Sequence, residues 1–169
     1  IYTMDNVGDG EVWGVELDLA TPLTAIGLPN TGVFANYSWL DSEIEDFIGK
    51  RRFNNQARYV YNVGFIQDLP DLAASFGASY RKQGDAFSRV LGEEVLTTYD
   101  ADLEVFIEKR FGDSFSVRLS GANLLDAKKR EYFSKFDNEA DQVDRDFDEY
   151  EEEAEWAGPR YQLVMRWSF

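Results

Sequence analysis

Neither cysteine nor histidine occurs anywhere in the 169 residues. Without cysteine no disulfide or thiolate-metal framework can form, and that lack alone does not fix the compartment. Without histidine, a Ser-His-Asp triad, a Cys-His pair and a histidine-ligated zinc are excluded within this chain. Positive charge is scarce: 17 Lys and Arg against 32 Asp and Glu leave a net charge of −15. Such a balance repels phosphates, so no nucleic acid partner is expected and anionic lipid surfaces are disfavoured. No run of about eighteen apolar residues exists, which rules out a transmembrane helix; transmembrane strands need only about ten alternating residues and escape hydropathy averages. The mean hydropathy of −0.43 therefore does not exclude a membrane protein built from strands. The chain opens on Ile1, Tyr2 and Thr3, with no initiator methionine, basic n-region or signal peptide. It reads as a piece of a longer protein, with processing as the other route to such an N-terminus.

What is present is alternation. In the closing stretch, Tyr161, Leu163, Met165, Trp167 and Phe169 fall on one side of a strand and Gln162, Val164, Arg166 and Ser168 on the other. Its eight steps span about 27 Å at roughly 3.4 Å each, and about 21 Å of height at a tilt of roughly 40°. That approaches the apolar band of an outer-membrane barrel, with an aromatic at each edge. The segment resembles the closing strand of bacterial outer-membrane β-barrels, whose terminal aromatic belongs to the signal read by the barrel-assembly machinery. The alternative is an ordinary amphipathic strand in a soluble β-sandwich.

The same grammar recurs upstream. Strands are expected over about Glu11–Ala20, Val33–Leu40, Tyr59–Gln67, Leu72–Lys82, Tyr99–Phe111 and Ser114–Leu124. The fifth is the cleanest, with Tyr99, Ala101, Leu103, Val105 and Ile107 opposing Asp100, Asp102, Glu104, Phe106 and Glu108. So many carboxylates on one face exclude a dry core there. The connectors alternate. Thr21–Gly32, the turn at Asp68–Asp71 and Gly112–Asp113 are short or moderate, whereas Asp41–Arg58, Gly84–Thr98 and Leu125–Gly158 are long loops. Long strands with short turns at one end and long loops at the other match an all-β, antiparallel, up-and-down transmembrane β-barrel. Seven strands cannot close alone, because unpaired edges facing lipid each cost several kcal/mol per polar group, so further strands are expected upstream.

Three motifs narrow the kind of barrel. Asn6-Val7-Gly8 followed by Gly14-Val15-Glu16, then Asn123-Leu124-Leu125-Asp126, then Gly158-Pro159-Arg160-Tyr161 running to Phe169, together resemble the C-terminal third of TonB-dependent outer-membrane receptors. Pro159 departs from the pattern, standing between the expected Gly and Arg. The resemblance implies the last seven strands of a twenty-two-stranded barrel, with the plug domain, the TonB-contacting segment and the signal peptide lying outside this chain. It implies no enzyme but energised uptake of a scarce nutrient such as siderophore-iron, cobalamin or an oligosaccharide, in the outer membrane of a Gram-negative bacterium. Expected partners are TonB, the barrel-assembly machinery, and outer-membrane lipid with lipopolysaccharide. A passive porin-type barrel and a soluble β-sandwich binding module are the alternatives.

Within that frame, Glu16, Asp18, Arg81, Asp102, Glu104, Glu108, Arg118, Arg160 and Arg166 share the polar parity and are expected to face the lumen, as charge ladders that hold the wall and meet the plug. No catalytic residue is expected; a polar lumen wall accounts for paired carboxylates such as Asp102 and Glu104. Tyr37, Trp39, Tyr59, Tyr61, Tyr80 and Tyr99, with Tyr161, Leu163, Met165, Trp167 and Phe169, take the apolar parity, the aromatics as girdle residues and the closing row also as assembly signal. Arg51, Arg52 and Arg58 belong to a solvated loop touching lipopolysaccharide phosphates, or else steer anionic ligands. No cofactor is expected apart from calcium in the acidic run Asp137–Glu155, where Asp144, Asp146, Asp148 and Glu155 fall at calcium-loop offsets. Glu149 occupies the position that an EF-hand reserves for glycine, so a looser site or a mobile solvated loop are the options.

Overall fold

Strands whose polarity alternates pair in phase, because a slip of one residue would throw every apolar side chain to the wrong face. The computed structural model, which describes residues 8–169, obeys this from end to end. Its elements are β1 (Gly10–Leu23), β2 (Leu28–Glu45), β3 (Lys50–Arg51), β4 (Tyr59–Leu69), β5 (Ala74–Gln83), β6 (Ala86–Val90), β7 (Glu93–Tyr99), β8 (Asp102–Phe111), β9 (Phe115–Ala122), β10 (Lys129–Lys135), α1 (Glu139–Asp144), β11 (Glu149–Glu155) and β12 (Arg160–Trp167). β1, β2, β4, β5, β8, β9 and β12 pair antiparallel in that order, with β3 attached to β2. This is a seven-stranded portion of an up-and-down barrel wall. A second sheet runs β11-β10-β7-β6.

Several boundaries differ from expectation, each for a local reason. The connector Thr21–Gly32 is mostly strand, shortened to the tight turn at Thr24–Gly27; Pro22 stands at a register shift and Pro29 falls where the ladder skips from Leu28 to Gly32, so neither removes a needed donor. β5 begins at Ala74 because Pro70–Leu72 close a 3-10 turn that ends on Ala73 in the left-handed region. β2 continues to Glu45 and folds back through β3, so Asp41–Arg58 is only partly loop. The other two long loops are not irregular: Gly84–Thr98 contains β6 and most of β7, and Leu125–Gly158 contains β10, α1 and β11. Tyr99 consequently ends β7 in the second sheet, and Ala101 sits in the break before β8. β9 stops at Ala122 because Asn123 and Asp126 turn left-handed. β12 ends at Trp167, leaving Phe169 beyond the ladder and fully exposed. Asn6 and Val7 of the opening motif lie outside the described residues.

The wall has two unlike faces. On one, predominantly apolar rows cross every strand: Val33, Phe65, Ala78, Val105 and Tyr161, with Thr21 and Gly121, form one such row. Aromatic stacks bound this band. Tyr59, Tyr61 and Tyr80 stack with centroids 6.0 Å apart at one edge, and Phe111, Phe115 and Trp167 lie 5.6–5.7 Å apart at the other. From Leu103, paired with Tyr80, to Phe111 is eight residues of β8, about 27 Å along the strand and about 21 Å of height. The band is bare: among the described residues the only buried hydrophobic side chains are Ala74, Ala86 and Phe136. A sandwich would bury one face of each sheet in a core about 10 Å thick, so the soluble alternative fails.

On the opposite face two aromatics interrupt the polar pattern. The Phe34 ring lies over Gly64 and the Phe106 ring over Gly77, where any added Cβ would collide with ring and carbonyl alike. Glycine at these points lets an apolar ring lie flat on backbone within an otherwise polar surface.

The second sheet continues the wall. From Arg81↔Asp102 to Ala86↔Thr97 both arms of one hairpin advance five residues, so the pairing never slips. Segment 123–128 carries two extra residues relative to its partners on both sides, which preserves parity as well. The polar face of β5, β8, β9 and β12 therefore extends into the face of the second sheet that bears Phe87, Leu96, Tyr132 and Tyr150.

Candidate transport face and extended loop sheet

Alternation puts one polar residue per strand at each level, and direct register turns these into rungs. Asp18, Asn36, Asn62, Arg81 and Asp102 are successive partners across five strands. Asn36 Nδ2 donates to Asp18 at 2.5 Å, Asn62 Nδ2 to Asn36 at 3.5 Å, and Arg81 Nη2 to Asp102 at 3.1 Å. Asp102 also accepts the Asn123 amide at 3.0 Å, fixing the chain where it leaves β9. Lower on the same face Glu108 lies 3.7 Å from Arg118 and 3.9 Å from Arg166, while the Arg118 guanidinium lies 3.7 Å from the Phe106 ring centroid. Glu16 faces Ser38 and Glu104 faces Ser79. Arg160 faces Ala122, and no carboxylate among the described residues lies within ion-pair distance of it. The structure thus gathers all the charged candidates on one face, and adds Asn36, Asn62, Phe34 and Phe106, which the sequence had put on that parity without singling them out.

A second cluster was not foreseen. Asp46, at the turn after β2, binds Arg51 and lies 3.3 Å from Arg89 Nη1; Arg89 Nε donates to Glu94 at 2.7 Å; Arg145 Nη1 donates to the other Glu94 oxygen at 2.6 Å. The side chains of Asp46 and Glu94 are only 3% and 5% exposed. Neighbouring contacts tighten the junction. Asn55 N donates to Phe87 O at 2.9 Å, closing the edge of β6, and Asn54 bonds both backbone groups of Arg89. The fully buried Gln142 of α1 accepts from Gly92 N at 2.9 Å and donates to Val90 O at 3.1 Å. Three segments far apart in sequence are thereby locked into one body. Arg51 is consequently an internal structural cation and not a free steering charge; Arg52 Nη1 is buried without a hydrogen-bond partner, and Arg58 is exposed.

Burial alone raises the carboxyls of Asp46 and Glu94, but hydrogen bonds outweigh it. Arg51, the Ile48 and Gly49 amides and the Arg89 charge hold Asp46 below its ordinary 3.8, and Arg145 and Arg89 hold Glu94 below 4.5. A carboxylate lowered in the folded state contributes stability that is complete above its unfolded value and lost as pH falls through the folded one. Protection of the Ile48, Gly49 and Gly92 amides in the intact receptor, measured against the intrinsic exchange rate at each pH, is therefore expected to hold at neutral pH and to fall below about pH 4, while protection of wall amides does not change. A loss of protection that tracked the wall strands would refute this.

The acidic run carries regular structure, α1 and β11. In β11, Glu149 and Glu151 meet Lys135 at 3.4 and 2.8 Å, and Glu155 meets Lys129 at 3.9 Å. Asp144 ends α1, whereas Glu155 lies at the far end of β11, about 20 Å of strand beyond Glu149. Asp144, Asp146, Asp148 and Glu155 do not converge, and among the described residues no three acidic side chains are grouped to hold a metal ion.

Residues 1–128 match the family described as TonB dependent receptor-like, beta-barrel. The match runs from the opening motif through the wall strands to Asn123-Leu124-Leu125-Asp126. No curated protein and no solved structure matches the chain. The family comprises outer-membrane transport proteins of Gram-negative bacteria that work with TonB, not enzymes. With about three quarters of its length matched, and with seven wall strands in up-and-down order, the chain belongs to the TonB-dependent receptor β-barrel family.

Proposed function

We propose that this chain forms part of the wall and the extracellular loops of an outer-membrane transporter that takes up a scarce nutrient, siderophore-iron, cobalamin or an oligosaccharide, with energy delivered through TonB to a plug. One observation carries the reading: a single sheet has a bare apolar band bounded by aromatics on one face, a hydrogen-bonded polar surface on the other, and long extensions from one end only. In this reading the apolar face meets lipid, with Tyr161, Leu163, Met165 and Trp167 completing it. The polar face lines the lumen, where Glu16, Asp18, Arg81, Asp102, Glu104, Glu108, Arg118, Arg160 and Arg166 hold the wall and contact the plug. The second sheet stands outside the cell, beside lipopolysaccharide, and β12 presents the segment that the barrel-assembly machinery reads.

The test is nutrient uptake by cells carrying the intact receptor, with and without TonB and with a protonophore. Uptake that collapses in both treatments supports the reading. Uptake indifferent to either assigns a passive porin-type barrel instead.

A further inference from the structure

Two adjacent rungs of the second sheet differ in character. Phe87, Leu96 and Tyr132 are successive partners across β6, β7 and β10, with Glu152 beyond Tyr132 on β11, and the next rung is Arg89, Glu94, Ser134 and Tyr150. Phe87, Leu96 and Tyr132 from the first rung and Glu94, Ser134 and Tyr150 from the second line a cleft of about 430 Å³ that Arg145 borders from beyond α1. The polar groups divide into spent and unspent. Arg89 and Arg145 share the buried Glu94, Arg89 also meets Asp46, and Arg130 on the same face is held by Asp100 at 3.2 Å. The hydroxyls of Tyr132, Ser134 and Tyr150, by contrast, have no side-chain hydrogen-bond partner among the described residues, and Tyr150 is 64% exposed.

We propose that this cleft is a subsite for a neutral, hydroxylated ring, a hexose or pentose unit of an oligosaccharide. The proposal rests on the transporter reading above, since parity then turns this face toward the mouth of the barrel. Three features select the class. Aromatic walls beside a few polar groups favour a ligand with one apolar face and one polar edge. Arg89, Arg130 and Arg145, the arginines on and beside the second sheet here, are each matched to a carboxylate, so an anionic ferric chelate in the cleft finds no uncommitted arginine. The chain's net charge of −15 repels such a chelate further. A sugar ring laid on Tyr132 and Tyr150 meets Ser134 and both phenol hydroxyls with its own hydroxyls, and needs no counter-charge.

The full-length receptor, purified from outer membranes in detergent, is titrated with fluorescently labelled neutral gluco-, xylo- and chito-oligosaccharides, and in parallel with a ferric catecholate and cobalamin. At least one neutral oligosaccharide is expected to bind, and Tyr132→Ala and Tyr150→Ala each to weaken it about tenfold or more. Tyr150→Phe keeps the ring and is expected to lose less. Failure of every neutral oligosaccharide to bind overturns the inference, as does binding that the double alanine variant leaves unchanged. TonB-dependent uptake of the chelate or cobalamin alongside absent sugar binding would sink the subsite and leave the transporter reading standing. Sugar binding with uptake indifferent to TonB would do the reverse.

Discussion

Asp46→Ala is expected to cost the second sheet about 3–5 kcal/mol of local stability, the usual penalty for removing one partner of a buried pair. Asp46 is the acceptor for two arginine side chains that are each 12% exposed, and for the amides of Ile48 at 2.9 Å and Gly49 at 3.2 Å. Removing it leaves Arg51 buried with only the neutral acceptors Arg52 O and Asn54 Oδ1, and Arg89 with Glu94 as its one remaining carboxylate. The turn after β2 then has no anchor on β6. Asp46→Asn, which keeps the shape and one acceptor oxygen, is expected to recover part of the loss. Limited proteolysis of the full-length receptor reads this directly: cleavage between β2 and β4 should rise sharply in the alanine variant, with an intermediate rate for asparagine. Equal rates in all three proteins would show that the network does not hold the sheet.

The wall was legible because its strands serve two unlike surroundings at once. Trp13, Val15, Leu17 and Leu19 against Glu16 and Asp18, or Leu103, Val105 and Ile107 against Asp102, Glu104 and Glu108, are local patterns, and local patterns survive in sequence. The ends of strands were less legible. β1 and β2 run through Pro22 and Pro29, which read as loop until the register shift that accommodates them is seen. The second sheet was not legible at all. β11, Glu149–Glu155, is nearly all glutamate, a residue depleted in strands, and what holds it is Lys135 and Lys129 on the strand opposite. The charged network spans 43 residues from Asp46 to Arg89 and 51 from Glu94 to Arg145, so no spacing rule could have joined its members. The calcium offsets failed for the converse reason. Spacing suited to a tight loop means nothing once its last member lies on an extended strand.

The other large effect follows from the face proposed to meet lipid. Ile107 lies midway between Leu103 and Phe111 on β8, flanked in its row by Phe76 and Leu119, and is 53% exposed on the apolar face. Ile107→Arg is expected to destabilise the folded receptor in a bilayer by about 2–4 kcal/mol, the depth-dependent cost of a guanidinium at the midplane. Ser116→Arg, on the polar face of the next strand, is the control. It sits between Arg110 and Arg166 in register, a like-charge cost of about 0.2–1 kcal/mol on each side before screening, and is still expected to cost less than Ile107→Arg. Urea titration of both variants refolded into lipid vesicles measures the difference. Each variant introduces the same side chain on the same sheet, so a cost of Ile107→Arg beyond that of Ser116→Arg is the cost of its apolar surroundings. If Ile107→Arg were tolerated as well as Ser116→Arg, the bare band could not be facing hydrocarbon, and the orientation of the whole wall would have to be reversed or abandoned.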